Sequence, residues 1–130
     1  MTQKRKKPKV LIIDDDAIVR ETVRIALGTG GFEAVTLESP ALAHVVVRQS
    51  KPDLVIMDLY MPELNGLDLC RKLKADPETR RIPVIIFTGS NETVDVISGI
   101  EAGAFEYITK PVDGELLIEK IRGVLKHKAP

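Results

Sequence analysis

A chain of 130 residues fits one ordinary domain, long enough to bury a hydrophobic core without disulfide or metal staples. Its 19 basic and 19 acidic residues cancel, so no global field recruits nucleic acid or an anionic membrane, and any partner must be recognised locally. One cysteine, Cys70, excludes an internal disulfide and suits a reducing compartment.

Residues 1–8 carry the basic run Lys4-Arg5-Lys6-Lys7, which without interleaved aromatics reads as a solvated, flexible leader rather than a nucleic-acid arm. The apolar run behind it, Val10-Leu11-Ile12-Ile13, is too short for a signal core or a membrane span, which points to a soluble, cytoplasmic protein. From there to residue 126, apolar runs of strand length alternate with amphipathic stretches of helix length, and residues 127–130 form a tail. The predicted strands are Lys9 to Ile13, Phe32 to Leu37, Leu54 to Met57, Val84 to Phe87 and Phe105 to Ile108. They are mostly continuous apolar runs rather than alternating ones, which suits strands buried on both faces. The predicted helices are Ala17 to Leu27, Ala41 to Arg48, Leu64 to Lys74, Glu92 to Ala102 and Gly114 to Lys126, with breakers such as Gly30-Gly31, Lys51-Pro52, Asp76-Pro77 and Ile82-Pro83 between elements. Strict βα alternation implies right-handed crossovers and helices on both faces of a parallel sheet, a doubly wound α/β domain.

The polar residues that end these strands carry the chemistry. The first strand runs into Asp14-Asp15-Asp16, the third into Asp58, the fourth into Thr88 and the fifth into Lys110. The second ends without such a residue, as an edge strand would. In a parallel sheet all these ends share the edge where open α/β folds bind ligands. Clustered carboxylates repel one another and invite a hard cation such as Mg²⁺. A carboxylate beside that cation can accept a phosphoryl group as an acyl phosphate, provided the incoming charge is neutralised. Asp58, alone at the end of a central strand, suits the acceptor; Asp14 and Asp15 suit the metal side; Lys110 and the Thr88 hydroxyl would meet phosphoryl oxygens. Taken singly, each residue has an ordinary alternative. Asp14 and Asp15 would also suit a helix cap, Thr88 a strand, Lys110 a turn, and Tyr107 the core. His44 and His127 read as surface residues without a catalytic role, and Cys70 as a small packed hydrophobe.

In order and over nearly the whole chain, from Lys9 to Lys126, these segments resemble the response-regulator receiver domain, the phospho-accepting module of two-component signalling, and are similar to the chemotaxis response regulator. The resemblance rests on Val10 to Asp16, on Pro52 to Pro62 with Asn65-Gly66, on Pro83 to Gly89 and on Gly103 to Pro111. It implies a flavodoxin-like (βα)5 sandwich with strand order 2-1-3-4-5. It further implies phosphotransfer from a histidine kinase or phosphotransfer protein onto Asp58. Mg²⁺ would be held by Asp15, Asp58 and the Tyr60 backbone carbonyl, with Asp14 acting through water. By the same resemblance Thr88 and Tyr107 form a switch pair, the Lys110-Pro111 peptide is cis, and the responding face comprises Thr93 to Gly99, Phe105 to Ile108 and Gly114 to Arg122. That face would bind an unidentified downstream protein or a second, phosphorylated copy. No enzymatic turnover beyond the domain's own phosphorylation and dephosphorylation is expected, nor any nucleic-acid or membrane contact within the chain. Because no output motif follows the fifth helix, the chain reads either as a stand-alone receiver or as part of a larger protein. Tyr60 is bulkier than many residues at its position, Val112 stands where an aromatic is frequent, and Phe105 falls where polar residues are common and is expected to be exposed. A magnesium-dependent phosphatase with an aspartyl nucleophile is the enzymatic alternative, but Ala17-Ile18 replaces the Gly and Thr usual after its acids. An interaction module with an inert site is the third reading, disfavoured by the complete set of acids, Thr88 and Lys110.

Overall fold

The structure, a computed structural model, describes residues 7–62, 64–111 and 113–128. Five strands, β1 (Lys9–Ile13), β2 (Glu33–Leu37), β3 (Leu54–Met57), β4 (Val84–Thr88) and β5 (Glu106–Thr109), alternate with α1 (Ala17–Thr29), α2 (Ala43–Ser50), α3 (Gly66–Ala75), α4 (Thr93–Glu101) and α5 (Gly114–Lys128). All strand pairs are parallel, in the order β2-β1-β3-β4-β5. The predicted topology is the one observed, and β2, the strand without a polar terminus, lies at an edge.

Alternate residues of the central strands feed two cores. Leu11, Ile13, Val55, Met57, Val84 and Ile86 pack with Val47 of α2 and with Leu69 and Leu73 of α3. Val10, Ile12, Leu54, Ile56, Ile85 and Phe87 pack on the opposite face with Val23 and Leu27 of α1 and with Leu117, Ile121 and Val124 of α5. Burying each such aliphatic side chain contributes about 1.5–3 kcal/mol, which is why the interiors of these strands carry no polar residue. The fourth helix is the exception: its only buried residue is Gly99.

Several boundaries differ from the sequence expectation for local reasons. Phe32 donates its N–H to the Leu27 carbonyl at 2.9 Å, so its backbone closes the end of α1 while its ring enters the core. Pro40–Leu42 forms a separate 3-10 turn, and α2 then runs from Ala43 to Ser50, ending where Lys51 takes a left-handed φ of 48°. Asn65 caps α3 by accepting from the Leu67 N–H at 2.8 Å, which starts that helix at Gly66 rather than Leu64. The fourth strand includes Thr88, and the fifth begins at Glu106 and leaves Phe105 half exposed, as expected of that side chain. Of the expected basic leader, residues 1–6 lie outside the described residues, and Pro8 accepts a hydrogen bond from the Glu33 N–H at 2.9 Å.

Candidate functional site

Sheet register brings the strand ends together. Ile13 pairs with Met57 and Met57 with Ile86, so Asp14 and Asp58 emerge side by side and Thr88 ends the next strand. Oxygens of Asp14, Asp15 and Asp58 lie within 4.8 Å of one another. The Lys110 ammonium donates to Asp14 Oδ2 at 2.8 Å and to Asp58 Oδ2 at 3.0 Å, reaching back across the edge from the end of β5. It also stands 5.6 Å from the centre of the Phe87 ring. The peptide joining Lys110 to Pro111 is cis.

Local geometry frees the acids for this cluster. The cap of α1 is Asp16, which accepts from the Ile18 N–H at 2.9 Å, so neither Asp14 nor Asp15 is used as the helix cap. Asp14 instead accepts from the Asp16 N–H at 2.9 Å and is almost fully buried, whereas Asp15 is exposed. Beside Asp58 the chain turns sharply into α3, with the Gly66 N–H donating to the Leu59 carbonyl at 2.8 Å. A side chain at Gly66 would overlap the Asp58 carbonyl oxygen and lie 2.9 Å from Leu59 Cα, so only glycine lets the helix start this close to the acid. Burial pushes the Asp14 carboxyl above its ordinary value despite the pull of Lys110 and the Asp16 N–H, and the charge of Asp58 adds to the push. Burial by itself would lower Lys110, but its hydrogen bonds to Asp14 and Asp58 together outweigh burial and hold its pKa above the ordinary value. Three carboxylates surround one ammonium that bridges two of them, leaving a net negative, oxygen-lined cluster whose donors fit a hard divalent cation such as Mg²⁺.

Thr88 is buried at the end of β4, and its carbonyl accepts from the Lys110 N–H at 2.7 Å. Tyr107 is half buried against the core, and its hydroxyl donates to the Ser90 carbonyl at 2.8 Å. Tyr60 is exposed and carries two contacts: its N–H to Asp58 Oδ1 at 3.3 Å and its hydroxyl to Asp95 Oδ2 at 2.7 Å. Ser90 donates to the same Asp95 oxygen at 2.5 Å. Sequence reasoning did not single out Ser90 or Asp95, because a contact between residues 60 and 95 leaves no local pattern. His44, read as a surface residue, is half buried and pairs with Asp76 at 2.8 Å. His127 is exposed and meets the Phe105 ring edge-on at 5.9 Å. Cys70 is buried, and burial pushes its thiol up, as a packed and unreactive thiol requires.

This acid cluster lies at the strand-end edge of a five-stranded 2-1-3-4-5 sheet, which makes the chain a doubly wound α/β domain. Residues 10–122 match the family model of the response regulator receiver domain, and the chain belongs to that family. It is 39% identical over 121 residues to the phosphate regulon transcriptional regulatory protein PhoB of Pseudomonas aeruginosa, covering 93% of this chain and 53% of that protein. It is 38% identical to the DNA-binding response regulator MtrA of Mycobacterium tuberculosis, covering 92% of this chain and 51% of that protein. The chain thus spans about half the length of these curated relatives. A solved receiver domain protein from Clostridium thermocellum superposes with a TM-score of 0.85 at 32% identity, covering 93% of this chain and 96% of that one. A response regulator from Desulfuromonas acetoxidans superposes at 0.84 with 28% identity, covering 92% and 98%. Among the described residues no helix is long and apolar enough to cross a membrane.

Proposed function

We propose that the chain accepts a phosphoryl group on Asp58 from a histidine kinase or phosphotransfer protein and signals through the face formed by α4, β5 and α5. The observation that carries this reading is the convergence of Asp14, Asp15 and Asp58 with Lys110 bridging two of them. The Asp58 carboxylate attacks phosphorus, the acyl phosphate bond forms, and the donor's bond to phosphorus breaks in line. Asp15, Asp58 and the Tyr60 carbonyl would hold Mg²⁺, with Asp14 acting through water. When bound, the ion neutralises phosphoryl charge. Lys110 gives up its bonds to Asp14 and Asp58 for a phosphoryl oxygen, and the Thr88 hydroxyl donates to another. Charge-assisted hydrogen bonds of this kind contribute about 1.5–3 kcal/mol each, and about 5.5 kcal/mol moves a two-state population from mostly off to mostly on. A few such bonds therefore suffice.

The output face is supported by its apolar exposure: Val94, Ile97 and Ile100 of α4, Phe105 before β5 and Leu116 of α5 all stand in solvent. A patch of this kind marks a protein contact, either with a downstream partner or with a second phosphorylated copy. The domain spans residues 9–126 in this reading and is cytoplasmic. Incubation with a small phosphodonor and Mg²⁺ should add one base-labile phosphoryl group, read by intact mass. Uptake that survives Asp58→Asn, or catalytic release of phosphate from an aryl phosphate over many turnovers, would overturn the assignment.

A further inference from the structure

The fourth helix is the least anchored element of the sheet's two helical layers. Its only buried residue is Gly99, and its cap residue Glu92 makes no side-chain capping bond. By contrast α3 buries Leu69, Cys70 and Leu73. Something other than core packing must fix where α4 begins. Four polar contacts converge there: Tyr60 and Ser90 both donate to Asp95 Oδ2, Ser90 Oγ accepts from the Glu92 N–H at 3.3 Å, and Tyr107 donates to the Ser90 carbonyl. Ser90 and Glu92 belong to the segment that α4 continues, so they steady it only locally. The long-range ties are made by the two tyrosines of the chain.

We infer that the Tyr60 side chain is a positioning tether, holding the first turn of α4 to the acceptor loop through Asp95 before any phosphoryl group arrives. Residue 60 touches both ends of the path: its N–H meets the Asp58 carboxylate and its hydroxyl meets α4. A change at Asp58 therefore reaches α4 through a single residue. Tyr107 completes the frame. Its ring packs at Gly99, where an added Cβ would stand 2.8 Å from Ile86 Cδ1 and 3.1 Å from Tyr107 Cδ2. Glycine at 99 thus seats the ring against α4 while the Tyr107 hydroxyl holds the β4–α4 loop. The tether deepens the signalling role proposed for Asp58 and rests on it for its purpose.

Amide hydrogen exchange on the unphosphorylated protein tests the tether. The Val96 N–H is protected by the Glu92 carbonyl at 3.1 Å and reports the first turn of α4. Tyr60→Phe and Asp95→Asn should each speed its exchange roughly threefold to tenfold, leaving Val23 in α1 unchanged, and the double variant should be no faster than either single one. An unchanged Val96 rate in Tyr60→Phe, or effects that multiply in the double variant, would overturn the proposal. A spectroscopic signature separates the specific bond from loosened packing. With no tryptophan and two tyrosines in the chain, Tyr107→Phe leaves Tyr60 as the sole phenol. A phenol that donates to a carboxylate absorbs to the red of one that donates to water, so Asp95→Ala in that background should blue-shift the Tyr60 band at neutral pH. No shift would count against the bond. If the wild-type protein instead takes up no phosphoryl group, the signalling reading fails while the exchange result stands.

Discussion

Asp14 and Asp76 are both acids that hold distant parts of the chain together, and their surroundings do opposite things to them. Asp76 accepts from the Glu78 N–H at 2.9 Å, from His44 at 2.8 Å and pairs with Arg48 at 3.3 Å. Those partners, the backbone N–H first and His44 next, hold its carboxyl below the ordinary value. Asp14 faces two further acids with one lysine between them, and burial keeps its carboxyl above the ordinary value. A satisfied acid stabilises the protein that carries it. An acid crowded with others is poised to take a cation, and the difference marks function more sharply than the residue type does.

The largest way to separate the two clusters is chemical. Asp58→Asn should abolish phosphoryl uptake, whereas Asp76→Asn should leave it at one group per chain by intact mass. Metal binding gives the next effect. Calorimetric titration with Mg²⁺ should show Asp15→Asn weakening affinity at least about tenfold, with Asp76→Asn indistinguishable from wild type. Stability should then move in opposite directions. Without metal, Asp14→Asn should raise the denaturation midpoint, with the unfolding free energy up by on the order of 1 kcal/mol, because it removes a buried charge from a repelling cluster. Asp76→Asn should lower the midpoint, since it weakens bonds to His44 and Arg48. A fall in both variants would erase the contrast.

The carboxylate cluster was legible because its members end strands. Asp14, Asp58, Thr88 and Lys110 each interrupt or follow an apolar run, and the parallel topology that alternation implies carries those ends to one edge. The Asp76 cluster was not legible: it joins residues 44, 48, 76 and 78, which lie in a helix and a loop with no shared periodicity. The Tyr60 to Asp95 contact was hidden for the same reason. Element boundaries slipped where a side chain decided them, as with the Asn65 cap and the left-handed Lys51, since hydrophobic pattern alone does not register a single capping bond.

The finest test of the contrast lies in where each acid's contribution disappears as pH falls in the absence of metal. The folded pKa of Asp14 is raised, so the penalty for ionising it is fully present above that folded value. The penalty begins to lift as pH drops through it and is gone below the unfolded value, about 3.9. The stability advantage of Asp14→Asn should therefore begin to shrink while the pH is still above the ordinary carboxyl range and be gone once the pH falls below it. The folded pKa of Asp76 is lowered, so its stabilisation is complete above the unfolded value and is lost only as pH falls on through the folded one. The deficit of Asp76→Asn should hold to lower pH and close on the acid side of that range. Chemical denaturation of the three proteins across the acid limb would read both windows. If the two gaps close together, the environments of the two acids are not opposed in the way their hydrogen-bond partners require.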